Sequence, residues 1–128
     1  MTIHPRLIQD TPESLFQKLS DLRNLGPLMP DSVKGFQATE TDCSFQLGPL
    51  GTIHLERTSM TPHSEIVLQT KDQKPFAIAL HIQFTPQEGG TLVGMSVKED
   101  LNPFMRMMVE KPLEQFLGFL LKSLSSAS

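Results

Sequence analysis

Residues 102–124, NPFMRMMVEKPLEQFLGFLLKSL, form a long segment in which apolar residues recur at helical spacing. Asn102 before Pro103 is a helix-start signal, because a short polar side chain can cap free amides and the proline ring already has a helical φ. Pro112 lacks an amide proton and collides with the preceding turn, so a bend is predicted near residues 109–111. The apolar stripe beyond it consists of Leu113, Phe116, Leu117, Leu120, Leu121 and Leu124. We predict one long helix with an apolar face that needs a cover.

The residues between 32 and 100 change to an apolar period of about two, which is typical of strands. Residues 76–84 alternate cleanly, so one face of that strand is dry and the other is wet. Turn sequences GPLG at 48–51 and QEGG at 87–90 connect neighbouring strands as hairpins. Hairpin connections leave one apolar face of the sheet uncovered, and only the C-terminal helix is long enough to cover it. The sheet is therefore predicted to wrap that helix.

A strand and two short helices are predicted ahead of these hairpins. Residues 2–9 alternate as an edge strand, with Ile3 and Leu7 on its apolar side. Thr11 before Pro12 marks a helix start, and a second short helical stripe ends at residues 26–30. The predicted chain is a single α+β domain, residues 1–128, with about seven antiparallel strands, the long C-terminal helix and a frayed tail at 122–128.

The composition limits the partners of this chain. Eleven basic against fourteen acidic residues give a formal net charge of -3, which removes the electrostatic basis for nucleic-acid binding. Cys43 is the only cysteine, so no intramolecular disulfide forms, and we interpret it as a small hydrophobe of a strand. No stretch approaches the roughly 18 apolar residues that span a bilayer, so no integral membrane segment is predicted. A cytoplasmic protein is expected.

The histidines give no catalytic or metal-binding motif. His4, His54, His63 and His81 are not at metal-ligand spacing, and no paired His–carboxylate motif is present. His54 and His81 fall on strands separated by a third, and His81 is assigned to the wet face. We therefore predict no catalytic residue, no metal and no cofactor.

Several short segments resemble one known superfamily. They are LFQKLSD at 15–21, NL at 24–25, LMPDSV at 28–33, GPLG at 48–51, GGT at 89–91 and the C-terminal helix. Their order and spacing resemble the START/Bet v 1-like (SRPBCC) superfamily, close to bacterial polyketide cyclase/dehydrase-like and CoxG-like members. The resemblance covers essentially the whole chain and implies a helix-grip fold, in which a curved antiparallel sheet grips the long helix.

Strand parity predicts the side chains that face the helix. The candidate cavity residues are Phe16, Phe45, Leu47, Ile53, Leu55, Arg57, Ile66, Leu68, Ile78, Leu80, Ile82, Val93, Met95, Val97, Glu99, Phe104, Met107 and Met108. Arg57 and Glu99 end otherwise apolar faces, so Arg57 could anchor an anionic ligand head with Glu99 as its counter-charge. Two alternatives stay open: both side chains curl into water at strand ends, or a bulge removes both from the interior.

The methionines at the start of the long helix are a second signal. Met105, Met107 and Met108 lie with Phe104 where helix-grip relatives open their cavity. Methionine suits an irregular apolar ligand, although helical Met stripes also fill ordinary cores. Met105 and Met107 cannot both share the face of Phe104 and Met108, so at least one is expected at the surface. There it could dock transiently on a membrane, on a partner or on a second copy.

Three functions remain open from the sequence. The first is a binding or transport module that holds a small hydrophobic or amphipathic ligand between sheet and helix; the resemblance implies a lipid, fatty acid, isoprenoid or polyketide-like compound. The second is a cyclase- or hydratase-like enzyme that uses the same cavity. The third is a filled-core module for interaction or homodimerisation. Eight Phe without Tyr or Trp favour loosely specified apolar binding over acid–base catalysis.

Overall fold

The computed structural model describes residues 1–127. Its strands are β1 (Thr2–Ile8), β2 (Val33–Ala38), β3 (Asp42–Leu47), β4 (Thr52–Thr61), β5 (Glu65–Thr70), β6 (Ile78–Gln87) and β7 (Gly90–Glu99). Its helices are α1 (Pro12–Ser20), a 3-10 helix (Leu22–Leu28) and α2 (Pro103–Ala127), with short 3-10 turns at Gly48–Leu50 and Lys71–Gln73. The predicted order of elements is confirmed.

The described strands form one seven-stranded antiparallel sheet in the order β1-β7-β6-β5-β4-β3-β2. Strands β2 to β7 follow one another by hairpins, while β1 returns to the far edge and pairs with β7. The sheet curls into a half-barrel, and α2 lies along its concave face. Because β1 and β2 are the two edges of the sheet, α1 and the 3-10 helix, which connect them in sequence, must cross the open side of the half-barrel.

The core lies between α2 and the concave face of the sheet. The buried stripe of α2 consists of Val109, Leu113, Phe116, Leu117, Leu120, Leu121 and Leu124. The Phe116 ring stacks on Phe45 of β3 with 5.2 Å between ring centroids. Each large side chain buried this way stabilises the fold by about 1.5–3 kcal/mol relative to an exposed one. This stripe holds helix and sheet together.

The end of α2 differs from the predicted frayed tail. Residues 122–127 continue the helix, because Leu124 adds one more buried position to the apolar stripe; Ser128 lies outside the described residues. The helix also continues through Pro112, and the residues before and after that turn, Val109 and Leu113, are both buried against the sheet.

Strand β1 departs from strict alternation. Ile3 is opposite Met95 and Arg6 is opposite Val93, so one extra residue lies between them on β1. Such a bulge reverses the parity of the residues that follow it. Ile8 is consequently buried and Leu7 is exposed, which is the opposite of the alternation predicted from Ile3.

Candidate functional site

The inner face of the sheet contains most of the predicted cavity residues. Those that the structure buries in the core are Phe45, Leu47, Ile53, Leu55, Ile66, Leu68, Ile78, Leu80, Ile82, Val93, Met95 and Val97. Phe16 of α1 is half-buried and packs edge-on against Phe84, with 6.3 Å between ring centroids. The strand parity was therefore predicted well enough to find an apolar inner surface.

The space enclosed by that surface is filled. The larger void at the centre of the fold has a volume of about 20 Å³, and its lining is entirely apolar, with Met29 and Met95 among the lining residues. A second void of about 10 Å³ lies between the sheet and Leu113, Phe116 and Leu117 of α2. One water molecule needs roughly 10–15 Å³ on this scale, whereas ligand sites usually have about 300–1,000 Å³. A ligand can enter this interior only by displacing side chains.

Arg57 is half-buried and bonds to the chain itself. Its Nη1 donates a hydrogen bond of 2.5 Å to the carbonyl oxygen of Ser20, the last residue of α1. A cation is favoured there, because the carbonyls at a helix C-terminus carry partial negative charge. A β-bulge follows directly, between Arg57 and Ser59. The guanidinium thus fixes α1 to β4.

Arg57 and Glu99 do not form the predicted counter-charged pair. They lie on β4 and β7, with β5 and β6 between them, so their strands are about 14 Å apart. Glu99 instead accepts from Nε of Arg106 in the first turns of α2, at 2.7 Å, and its side chain is only 10% exposed. The sequence did not reveal Arg106 as the partner, because β7 and α2 meet here only through tertiary packing.

The other oxygen of Glu99 is a buried polar atom at the edge of the apolar core. Within residues 1–127, Oε2 is buried and has no hydrogen-bond partner. Buried polar atoms without partners are rare, because each costs roughly 1–3 kcal/mol. Glu99 is therefore a candidate polar contact at the edge of the apolar interior.

The start of α2 corrects the predicted cavity lining. Phe104, Met107 and Met108 are 71%, 81% and 51% exposed, so they face away from the interior. Met105 packs against the core instead, because it lies one turn before Val109 on the buried stripe. Phe104, Met108, Pro112 and Phe119 share the opposite side of α2, and we call them the outer stripe.

Two histidine–carboxylate pairs lie on the outer face of the sheet. His54 Nε2 is 3.1 Å from Asp42 Oδ2, and His81 Nδ1 is 3.2 Å from Glu65 Oε2. A hydrogen bond from Thr39, and then one from His54, hold the pKa of Asp42 below its usual range. The sequence search for paired motifs missed both pairs because diagonal cross-strand neighbours depend on register. Their parity places them opposite the apolar interior.

Cys43 is a buried residue of β3, as predicted. Burial raises the pKa of its thiol to about 12, so the thiol stays protonated near neutral pH. Within the described residues, no three His, Cys, Asp or Glu side chains group as metal ligands. Over the same residues, the helices lack the combination of length and apolarity that crossing a bilayer requires.

Comparison with known proteins identifies the architecture. No protein-family model and no curated protein matches the chain. Protein Ms6760 from Mycobacterium smegmatis matches with a TM-score of 0.75 and 14% identity, over 98% of this chain and 88% of that one. Protein MLL2253 from Mesorhizobium loti matches with a TM-score of 0.73 and 15% identity, over 98% and 95%. The Aha1 dimer from Colwellia psychrerythraea matches with a TM-score of 0.66 and 19% identity, over 99% and 95%.

The chain has the helix-grip fold. At these identities the likeness to solved structures shows the fold alone. The candidate site consists of the apolar interior and two charged side chains at its edge. Arg57 of β4 contacts the end of α1, and Glu99 of β7 contacts the start of α2.

Replacement of Arg57 tests its role as the link between β4 and α1. Arg57→Met keeps a long apolar stem but removes the hydrogen bond to Ser20, and we expect the free energy of unfolding to fall by about 1.5–3 kcal/mol. Arg23→Met is the control, since Arg23 is exposed and its ion pair with Asp21 is screened by solvent. Urea unfolding measures both changes. Equal stability of the two variants would contradict the assigned role.

Proposed function

We propose that this protein is a START/Bet v 1-like binding module that takes a small hydrophobic or amphipathic molecule between the sheet and α2. The observation that carries this proposal is the central void, whose lining is wholly apolar. The void lies between the sheet, α2, and the segment formed by α1 and the 3-10 helix. Burial of apolar surface, worth about 25 cal/mol per Å², is the source of affinity. A cytoplasmic location stays a prediction.

Binding requires the interior to open, and the 3-10 helix is the part best suited to move. Leu25 and Leu28 of this helix line the void, and the half-buried Met29 follows them. Hydrogen-bond geometry in 3-10 helices is poorer than in α-helices. A flexible methionine at its end can change rotamer at low cost. Outward movement of this segment would join the void to solvent without unpairing a strand.

The void supports binding better than catalysis. None of the side chains that line it is titratable, so it contains no general acid or base. Arg57 is engaged by the backbone of α1, and the two histidine pairs face away. A cyclase- or hydratase-like reaction would need such groups at the ligand. We therefore favour a carrier or sensor of an apolar molecule.

Enlargement of the void gives a direct test with diphenylhexatriene, a headless hydrocarbon that fluoresces only in apolar surroundings. We expect saturable one-to-one binding by the unmodified protein. Leu120→Ala removes a lining side chain and should tighten binding at least about tenfold, or 1.4 kcal/mol. Met60→Ala is the control, because Met60 is exposed on β4 and should leave affinity unchanged.

Two results of this titration would contradict the proposed interior site. The first is no saturable binding by the unmodified protein. The second is binding with the same affinity in Leu120→Ala, which would place the dye elsewhere on the protein. Thermal unfolding with and without dye checks that Leu120→Ala is folded, since a bound ligand raises its midpoint.

A second candidate function is self-association through the outer stripe. The stripe extends about 22 Å along α2 from Phe104 to Phe119. Two α2 helices can pair in antiparallel orientation, with the two-fold axis beside residues 111–112. This pairing brings Phe104 opposite the partner subunit's Phe119. The similar Aha1 structure is described as a dimer.

Removal of one end of the outer stripe tests this pairing. Phe104→Ser should weaken the dimer at least about tenfold, because it removes an apolar contact that occurs twice by symmetry. Met107→Ser is the control, since Met107 is exposed on α2 but lies outside the outer stripe. Light scattering coupled to size exclusion, repeated over a dilution series, gives the dissociation constants. A monomer at millimolar concentration, or equal weakening by Met107→Ser, would contradict the assignment.

A further inference from the structure

Glu99 lies between a surface groove and the interior. The groove has a volume of about 270 Å³ and is formed by the ends of β5, β6 and β7, with Ile78 and Glu99 in its lining. Ile78 also lines the inner void of about 10 Å³ and is the cross-strand partner of Glu99. A single layer of side chains therefore separates the groove from the interior beside Glu99.

Two polar side chains beside this layer, Thr70 and Glu99, are largely buried. The hydroxyl of Thr70 accepts a hydrogen bond from the Ile78 amide at 3.2 Å. Oε1 of Glu99 accepts from Arg106, and that pair carries no net charge. Oε2 of Glu99 is buried without a hydrogen-bond partner in residues 1–127. Oε2 is therefore the one buried side-chain atom in residues 1–127 that remains to accept a hydrogen bond, while Lys98 and Asp100 line the groove as exposed side chains.

We propose that Glu99 Oε2 accepts a hydrogen bond from a hydroxyl group of the bound molecule, so that the ligand class is a hydroxyl-headed apolar molecule such as a long-chain alcohol. This inference rests on the proposed binding function and assigns its polar contact. The tail occupies the space between sheet and α2, and the head lies beside Glu99 at the groove.

The chemistry of the site distinguishes among possible head groups. A carboxylate head at Oε2 would place a second negative charge against Glu99, whose own charge is already neutralised by Arg106. The cation in the groove lining, Lys98, is exposed, so its attraction is screened by solvent. An ammonium head would compete with Arg106 for the same carboxylate. A neutral hydroxyl adds no charge and satisfies the free acceptor, so it gains a hydrogen bond to a charged group without a desolvated ion. The anionic head that Arg57 was expected to anchor has no counterpart here, because Arg57 is bonded to Ser20.

Matched ligands and variants test this assignment. Decanol and decanoate share a chain and differ in the head group, and their affinities are measured by displacement of diphenylhexatriene. Because the two ligands differ in hydration, the quantity compared is the ratio of their affinities in each protein. We expect Glu99→Leu to lower the preference for decanol at least about tenfold relative to the unmodified protein. Glu99→Gln keeps an acceptor oxygen, so decanol should bind within a few-fold while decanoate improves.

Asp100→Asn is the control, since Asp100 is an exposed carboxylate in the lining of the same groove and should leave the ratio unchanged. Binding of both ligands with the same ratio in the unmodified protein, Glu99→Gln and Glu99→Leu would overturn the hydroxyl assignment but leave interior binding intact. An equal change in Asp100→Asn would also overturn it, because the effect would then come from general charge. Failure of both ligands to displace the dye from every protein would also overturn it, whereas absence of saturable dye binding would overturn the proposed function.

Discussion

The burial of α2 against the concave face of the sheet is the interaction on which the other features depend. A hairpin-connected sheet has no helix of its own on its inner face, so that face stays wet unless the C-terminal helix covers it. The cover is closely fitted: Phe116 stacks on Phe45, and the voids beside them have volumes of about 20 and 10 Å³. The charged side chains Arg57 and Glu99 lie at the rim of this core, where Arg57 joins β4 to α1 and Glu99 joins β7 to α2.

Because the interior is filled, residues 1–127 enclose no cavity of ligand size between the sheet and α2. An apolar interior without polar groups costs little to close on itself, because its side chains satisfy one another by contact. A ligand that enters must therefore bury more apolar surface than the side chains that it displaces. The short 3-10 helix and Met29 are the part of the wall that can move to open the interior. The strands are fixed by their backbone hydrogen bonds, and α2 by its continuous buried stripe. The proposed binding therefore requires the interior to open, since the described part of the chain encloses no permanent cavity of ligand size.

Periodicity alone could predict the sheet, the gripped helix and the inward parity of β4, β6 and β7, because burial of one face imposes the pattern. It failed where geometry adds or removes a residue, as at the β1 bulge that exposes Leu7 and buries Ile8. Periodicity also gave the wrong buried side at the start of α2. There Met105 continues the buried stripe, whereas Phe104, Met107 and Met108 are exposed. The partners of Arg57 and Glu99 could not be predicted, because Ser20 and Arg106 meet them only through tertiary packing.

The methionines provide the most direct measurement of whether the interior opens to a ligand. Met29 and Met95 line the central void, Met107 and Met108 lie on the exposed side of α2, and Met60 is exposed on β4. NMR spectra of methyl-labelled methionines, recorded during a titration with decanol, report separately on the central void, the exposed side of α2 and β4. We expect added decanol to change the chemical shifts of Met29 and Met95 together until the site is saturated, while the Met60 and Met107 signals do not move. Shifts confined to Met107 and Met108, or none at Met29 and Met95, would contradict binding between the sheet and α2.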